Sequence, residues 1–328
     1  MTQGESAMPI AEQQSPVISV LMAAYNCEAF IAEAIASIQR QTVSNIEMIV
    51  VNDGSTDGTL RIIESIASTD SRVRVINMPG NGGCVAAWNH GLDHCRAPYI
   101  ARMDADDIAI ENRLEKQLLF LERHPEIALV GGAVLTIDSQ GKLIDLGGPS
   151  LIPLSQHAIA RTLLLGTPCY HPCWFARREL YAALQGYRAL VACEDYDFLL
   201  RAVTSGYKLA NLPDVVMKLR KLPGQASSQL RNWKMHRYVI RLYRERAQRQ
   251  QDSFNPEAAR EIARSGRFAG RLHHLSVACL NRGFQSRRKW IKFFFLAAAA
   301  LLSPWQARYF LDRLRARRIC RSALDGGA

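Results

Sequence analysis

The amino-acid sequence predicts an α/β protein in which a mostly parallel sheet is flanked by helices and followed by a basic helical extension. In the N-terminal third, short apolar runs rich in strand formers alternate with segments of helical periodicity, as in parallel sheets joined by helices. Several runs end abruptly in polar or acidic residues, and open α/β sheets bind ligands at the carboxyl ends of their strands. Beyond residue 229 the chain becomes strongly basic.

The predicted elements of the N-terminal third follow a regular order. The strands are Ile18–Ala23, Ile46–Val51, Val73–Ile76 and Tyr99–Met103. The helices between them are Phe30–Ile38, Leu60–Ala67 and Ala86–Cys95. This alternation predicts consecutive strand–helix–strand units.

The pattern downstream is less regular. A helix is predicted to end near Arg123, because a proline follows two residues later. Residues Ile127–Ile137 are predicted to form one or two strands, and Asp195–Thr204 a helix. Residues 150–190 mix short helices and loops, and the chain from Leu230 onward is predicted to be helical.

Charge divides the 328 residues unevenly. Residues 1–229 carry 19 Lys and Arg against 24 Asp and Glu, whereas residues 230–328 carry 22 against 6. The predicted domains are a disordered tail over 1–15, an α/β domain over 16–229 and a basic helical region over 230–328. We expect no nucleic-acid partner, because the basic clusters lack interleaved aromatic residues and the body is acidic.

The eight cysteines are expected to be reduced thiols. They have no paired spacing, and residues 1–15 are polar without the apolar segment of a secretory signal. A cytoplasmic protein is therefore the expectation.

An acidic run follows the predicted strand Tyr99–Met103. Asp104 and Asp106 are two residues apart, and a turn after the strand can direct both side chains into one crevice. Two carboxylates held close together repel each other unless a cation lies between them, and Mg²⁺ or Mn²⁺ bridged to a diphosphate is the usual solution. The alternative is that the acids cap the next helix, a role that also fits Asp107.

A second polar segment, Val51–Gly58, follows the second strand. Asp53 can accept hydrogen bonds from a base N–H or from ribose hydroxyls, and the neighbouring glycines permit close backbone approach. The alternative is an ordinary turn and helix cap. Neither a phosphate-binding loop ending in Gly-Lys-Ser/Thr nor a G-x-G-x-x-G motif follows a strand.

Several short motifs occur in order along the chain. They are Val20–Asn26, Val51–Gly58, Asn81–Gly83 with Asn89, Ala101–Asp107, Arg113–Gln117, His171-Pro172, Glu194–Asp197 and Pro223–Gln225. The first four resemble the donor-binding half of family 2 glycosyltransferases, which are inverting enzymes with a GT-A fold. The resemblance continues through the others and covers residues 16–228.

The resemblance implies a donor site for a nucleotide-sugar. The residues that would line the nucleotide pocket are Ala23, Ala24, Tyr25, Asp53 and Asp104, with Asp53 addressing the base. Asp106, with Asp104 beside it, would bind the divalent cation, Mn²⁺ or Mg²⁺, that bridges the diphosphate.

The resemblance also implies a general base at Glu194-Asp195. Inversion requires a carboxylate that removes a hydroxyl proton as the oxygen attacks C1 of the sugar. Asp195 is the expected base, with Glu194 contacting the acceptor or donor sugar, whereas Asp197 is expected to serve the helix. The alternative is helix capping, since acids are common at the start of a helix.

Two further residues have open roles. His171 is expected to contact the sugar or acceptor, with a purely structural histidine as the alternative. Arg102 is expected to support the aspartate loop, with a structural ion pair as the alternative.

One position departs from the family pattern. Leu222 stands where many relatives carry a histidine that can bind the metal. Metal binding would then depend on Asp106, the diphosphate and water. Alternatively, Arg220 or Lys221 would neutralise the leaving phosphate directly.

A surface over residues 287–318 has the composition of a membrane contact. Phe293–Leu302 is an uninterrupted apolar run, too short to span a bilayer, with Trp290 and Trp305 at its ends and basic clusters outside them. Such a segment can lie at an anionic membrane surface, or it can pack on the body of the protein.

The implied function is transfer of a sugar, with UDP-sugar as the expected donor, to a glycan or lipid-linked acceptor in cell-surface polysaccharide biosynthesis. The expected location is peripheral, at the inner face of the cytoplasmic membrane. The alternatives are a catalytically inactive nucleotide-sugar-binding protein and a nucleotidyltransferase.

Overall fold

A computed structural model describes residues 15–144, 148–222, 233–264, 288–302 and 304–325, together with 275, 276, 279 and 282. Within this part of the chain, eight strands form one mixed sheet in the order β3-β2-β1-β4-β7-β6-β8-β5, and helices flank it. The predicted α/β fold class is confirmed. The disorder predicted for the N-terminal tail and the motif at Pro223–Gln225 lie outside the described residues, and the division of the chain at residue 229 stays a prediction.

The strands are β1 (Ile18–Ala24), β2 (Ile46–Asn52), β3 (Val73–Asn77), β4 (Tyr99–Asp104), β5 (Ile108–Ala109), β6 (Ile127–Ile137), β7 (Phe175–Arg177) and β8 (Lys208–Arg220). The helices are α1 (Ile31–Gln39), α2 (Thr59–Ala67), α3 (Cys84–Leu92), α4 (Arg113–Arg123), α5 (Gln156–Leu163), α6 (Arg178–Ala183), α7 (Glu194–Thr204), α8 (Trp233–Arg249), α9 (Pro256–Arg264), α10 (Lys289–Leu302) and α11 (Pro304–Asp325). A 3₁₀ turn occupies His171–Cys173.

The N-terminal half of the sheet is parallel, as predicted. β1 pairs in parallel with β2 and β4, and β2 pairs in parallel with β3. In this register Ala23 is opposite Asp104, and Ala24 is opposite Asn52. The polar ends of these strands therefore meet at one edge of the sheet.

The C-terminal half of the sheet contains three strands that the sequence analysis did not predict, namely the two-residue edge strand β5, β7 and β8. β7 joins β4 to β6 and is antiparallel to both, while β8 is parallel to β6. β7 has only three residues, and β8 contains Pro213, which normally argues against a strand inside a sheet. The register accommodates this proline, because Gly132 is paired with Leu212 whereas Ala133 is paired with Val215.

The core lies on both faces of the sheet. Along β2, Ile49 and Val51 join one hydrophobic cluster, whereas Met48 and Val50 join the other, because successive strand residues face opposite sides. The first cluster also includes Met235, Tyr238, Val239 and Leu242 of α8. The first helix of the basic region is therefore packed into the core.

Candidate active site

The carboxyl ends of β1, β2 and β4 form the edge where the predicted donor residues lie. Ala23 is partly buried and Tyr25 is exposed at this edge. The side chain of Ala24 is buried in the core, and its carbonyl accepts a hydrogen bond from the Asp53 N–H at 2.9 Å. Ala24 thus positions the next loop, while Ala23 and Tyr25 present surface to the site.

Asp53 joins the loop after β2 to the loop before α3. Its two carboxylate oxygens accept hydrogen bonds from the backbone N–H groups of Gly82, at 2.7 Å, and Gly83, at 2.9 Å. Gly54 has a φ of +66°, and a Cβ there would lie 2.6 Å from the Asn81 nitrogen. The two loops are therefore in close contact. The contact between Asp53 and the base of the nucleotide stays a prediction.

Three aspartates converge at the end of β4. Carboxylate oxygens of Asp104, Asp106 and Asp107 all lie within 4.8 Å of one another. Asp107 is buried, and its Oδ1 accepts a hydrogen bond from the Arg220 N–H at 2.8 Å, whereas its Oδ2 has no hydrogen-bond partner. Burial, followed by the charges of Asp104 and Asp106, holds the pKa of Asp107 well above its usual range.

Arg220 holds the aspartate loop against β8. Its guanidinium donates to the Asp106 carbonyl at 2.8 Å, to Glu33 at 2.6 Å and to the carbonyls of Asp138 and Ser139, each at 3.1 Å. The side chain is buried, so these contacts within the protein engage it fully. Arg220 thus supports the loop, and neutralisation of the leaving phosphate by Arg220 or Lys221 stays a prediction.

Arg102 is a buried cation that pairs with Asp104. Its guanidinium forms an ion pair with Asp104 at 2.5 Å and lies over the Trp88 ring, 4.6 Å from its centroid. The Nε and Nη1 atoms are buried without a hydrogen-bond partner. Arg113, also buried, donates to the carbonyl of Arg102 at 2.7 Å and fixes the backbone there. Arg102 thus orients the carboxylate of Asp104.

Glu194 and Asp195 begin α7. Burial, followed by the charge of Asp195, raises the pKa of Glu194 to about 7. Burial also raises the pKa of Asp195, although the Tyr196 N–H donates to its carboxylate at 2.7 Å and opposes the increase. The charge of Arg102 lowers the pKa of both acids, so the cation that pairs with Asp104 also interacts electrostatically with Glu194 and Asp195.

Asp197, two residues further along α7, has a different environment. It has no exposed surface and pairs with Arg201 at 2.8 Å. Arg246 of α8 lies 3.8 Å from it and Arg188 lies 3.9 Å from it. Asp252 pairs with both Arg188 and Arg246. This buried network joins α7 to α8.

A cleft of about 710 Å³ opens beside Asp195. Its walls come from β6, the segment over residues 148–153, α5, the turn at His171 and the C-terminal helix α11. Leu219, next to Arg220 on β8, also lines the cleft. The cleft thus lies next to the strand that holds the aspartate loop.

His171 lines the same cleft and is enclosed by aromatic rings. Its Nε2 lies 2.9 Å from the Tyr187 hydroxyl, and the rings of Trp88 and Trp174 lie within 4.7 Å, centroid to centroid. Burial and the charge of Arg102 hold the pKa of His171 well below its usual range, so the ring is neutral. No local pattern could have indicated Tyr187 or Trp88 as its neighbours, because single aromatic residues far apart in sequence carry no such signal.

Comparison with known proteins agrees with this architecture. Residues 19–184 match the family model described as glycosyl transferase family 2. The amylovoran biosynthesis glycosyltransferase AmsE of Erwinia amylovora is 31% identical over 230 residues, which cover 70% of this chain and 85% of AmsE.

Two solved structures share the fold. The crystal structure of S. aureus TarS 1-349 in complex with UDP-GlcNAc has a TM-score of 0.59 at 18% identity, covering 94% of this chain and 92% of that one. The mannosyltransferase PcManGT from Pyrobaculum calidifontis, in complex with GDP-Man and Mn²⁺, has a TM-score of 0.54 at 18% identity, covering 94% and 86%. At this identity the likeness shows the fold alone. With the family match over half of its length, the chain belongs to glycosyl transferase family 2 and is a glycosyltransferase with a GT-A fold.

Proposed function

We propose that this glycosyltransferase transfers a sugar from a nucleotide-sugar, with UDP as the expected nucleotide, to a hydroxyl of a glycan or lipid-linked acceptor with inversion at C1. One observation carries the proposal: two acidic groups interact electrostatically with the same buried cation, Arg102. The first is the aspartate cluster at the end of β4, and the second is Glu194-Asp195 at the start of α7. A donor diphosphate and an acceptor hydroxyl need these two groups at neighbouring positions.

The aspartate cluster fits a divalent cation. The three carboxylates repel one another at their observed separation, and Asp107 has a buried oxygen without a partner. Hard oxygen ligands at this spacing suit Mg²⁺ or Mn²⁺. Asp106 and Asp104 would hold the ion, which would neutralise charge on the departing diphosphate.

The donor pocket would use the adjoining loops. Ala23 and Tyr25 would contact the nucleotide at the end of β1, and Asp53 would accept a hydrogen bond from the base. A carboxylate has about four acceptor positions, and the N–H groups of Gly82 and Gly83 use two of those on Asp53. Arg102 would hold the carboxylate of Asp104 in its orientation through their ion pair.

Asp195 would act as the base on the acceptor side. Its carboxylate would take the proton of the acceptor hydroxyl as that oxygen forms a bond to C1 of the sugar. The bond between C1 and the diphosphate oxygen would break on the opposite face, so nucleoside diphosphate leaves and the configuration inverts. Asp195 lines the cleft, which supports this role, and burial raises its pKa and makes it a stronger base.

Polysaccharide biosynthesis is the setting we propose. The similarity to the amylovoran biosynthesis enzyme supports it. A glycan or lipid-linked acceptor would enter the cleft beside Asp195 and His171.

Contact with an anionic membrane through residues 287–318 is part of the proposal. Trp290, Phe293, Phe294 and Leu301 lie on one face of α10 and are 65–85% exposed, whereas Ala299 on the opposite face is buried. Arg288 and Arg308 are exposed beyond the two ends of this apolar stripe. None of the described helices is long and apolar enough to cross a bilayer.

These features support a peripheral helix lying at the inner face of the cytoplasmic membrane. Co-sedimentation with phosphatidylglycerol vesicles measures this contact. A Phe293→Ser/Phe294→Ser variant that pelleted as well as the wild type would contradict it.

Calorimetric titration with UDP-, GDP- and dTDP-sugars, each with and without Mn²⁺, tests the donor site. We expect one nucleotide to bind selectively, Mn²⁺ to enhance its binding, and Asp106→Ala to remove the enhancement. Asp93→Ala, which removes an exposed carboxylate at the end of α3, is the matched control and should bind like the wild type. Absence of binding by every donor would overturn the proposed transfer.

A further inference from the structure

The C-terminal helix α11 places a row of arginines in the wall of the cleft that contains Asp195. Arg313, Arg317 and Arg321 all line this cleft. Residues spaced by four lie along one face of a helix, and the row is about 12 Å long at a rise of about 1.5 Å per residue. α11 packs against α5, which contributes Thr162 to the same cleft. The arginine row is therefore part of the cleft wall.

The charge of this cleft is positive. Among its described lining residues, Asp195 is the only acid beside the three arginines. His171 adds no charge, because burial and Arg102 keep its ring neutral. Guanidinium groups stay charged at any physiological pH and bind phosphate oxygens in a bidentate geometry. A positive row in a cleft otherwise lined largely by apolar and small residues favours an anionic ligand.

The donor diphosphate has a separate site, so it does not account for these arginines. Asp104 and Asp106 are not among the described residues that line the cleft, whereas the expected base Asp195 is. An anion that binds the arginine row must therefore belong to the acceptor rather than to the donor. α11 also packs against α10, the helix with the exposed apolar stripe.

We propose that the arginine row of α11 binds a phosphate or diphosphate ester of the acceptor and thereby places the acceptor hydroxyl at Asp195. This inference depends on the proposed function, because it assigns the acceptor's chemical class at the same site. Phosphate bound there lies next to the helix proposed to contact the membrane, so a lipid-linked phosphate fits the arrangement. A phosphate within a soluble glycan offers the same chemistry.

Calorimetry with three probes in EDTA tests the inference, because removal of divalent metal suppresses phosphate binding at the aspartates. The probes are farnesyl phosphate, its neutral analogue farnesol, and glycerol 3-phosphate. We expect the wild type to bind farnesyl phosphate at least about tenfold more tightly than farnesol, since charge-assisted hydrogen bonds favour the phosphate. Glycerol 3-phosphate binding as tightly as farnesyl phosphate would identify a soluble glycan phosphate as the source, and weaker binding a lipid phosphate.

The variant Arg317→Gln/Arg321→Gln should weaken binding of the phosphate probes by about tenfold or more. Arg244→Gln/Arg249→Gln removes the same charge from exposed positions on α8 and should bind like the wild type. The inference is overturned by unchanged binding in the first variant, by equal binding of farnesol, or by no binding of either phosphate.

A donor titration on the same proteins separates this inference from the proposed function. UDP-sugar binding with Mn²⁺ should be equal in the wild type and in Arg317→Gln/Arg321→Gln. If only the arginine variant lost donor binding, the row would belong to the donor site and the inference would be overturned. If the wild type bound no donor, the proposed function itself would fail.

Discussion

This enzyme has two pairs of aspartates whose members are two residues apart. The two pairs differ in their surroundings and in whether their side chains converge. Asp104 ends β4 and Asp106 lies in the turn after it, and their carboxylates converge with that of Asp107 within 4.8 Å. Asp195 and Asp197 lie on a helix, where Asp195 lines the cleft and Asp197 is completely buried against Arg201. The backbone explains the difference, because residues two apart on a helix point about 200° apart whereas a turn can bring them together.

The comparison shows that acidic spacing does not by itself define a site. After a strand at the sheet edge, the acids gather in a cluster suited to a cation. At the start of a helix, one acid reaches the cleft and its neighbour stabilises the fold through α8. Substitutions at the second pair should therefore separate catalysis from stability.

The largest expected effect is that of Asp195→Asn on transfer. The amide has nearly the shape of the carboxylate but cannot accept the hydroxyl proton, so kcat should fall by about a thousandfold, within the usual range for general-base catalysis. Initial rates with the donor identified by calorimetry measure it. Activity within a few-fold of the wild type would exclude Asp195 as the base.

The next effect is the loss of stability in Asp197→Asn. Removal of this buried charge leaves Arg188, Arg201 and Arg246 with Asp252 as their remaining acid in the described network, and we expect a cost of about 3–5 kcal/mol. Urea denaturation measures it. Asp214→Asn, which breaks a half-exposed pair with Lys116, is the control and should cost about 1 kcal/mol or less. Equal costs would contradict a structural role specific to Asp197.

The smallest effect is a pH shift in Glu194→Gln. The base must be ionised, so transfer by the wild type should fall as the pH falls through the raised pKa values of the Glu194-Asp195 pair. The charge of Asp195 contributes to the raised pKa of Glu194, so the two carboxylates titrate as a pair in the wild type. With Glu194 replaced, the acidic limb of the kcat/KM profile should follow Asp195 alone and move down by about one pH unit or less.

The measurement is the pH profile of kcat/KM for Glu194→Gln, compared with that of the wild type. Glu179→Gln, at an exposed position in α6, should leave the profile unchanged. A limb displaced toward higher pH by Glu194→Gln would contradict the electrostatic coupling.

Much of the parallel half of the fold could be predicted, because its strands are continuous apolar runs that end in polar residues. The mixed half was predicted only in part, because β6 was expected over Ile127–Ile137 whereas β5, β7 and β8 were not. β7 has only three residues, and β8 is interrupted by Pro213, so tertiary pairing determines both.

The aspartate cluster of the candidate site could be predicted from the local spacing of its acids. Its support by Arg220 could not, because 114 residues separate Arg220 from Asp106. The sequence likewise could not indicate that the arginines of α11 line the cleft, because their position depends on the packing of α11 against α5.

The most direct test of the account measures donor binding and transfer on one preparation of Asp195→Asn. The account predicts that the dissociation constant of the donor with Mn²⁺ stays within a few-fold of the wild-type value while transfer is lost. This result would separate the donor site at Asp104 and Asp106 from the base at Asp195. Equal loss of donor binding and transfer would contradict the assignment of Asp195 as the base.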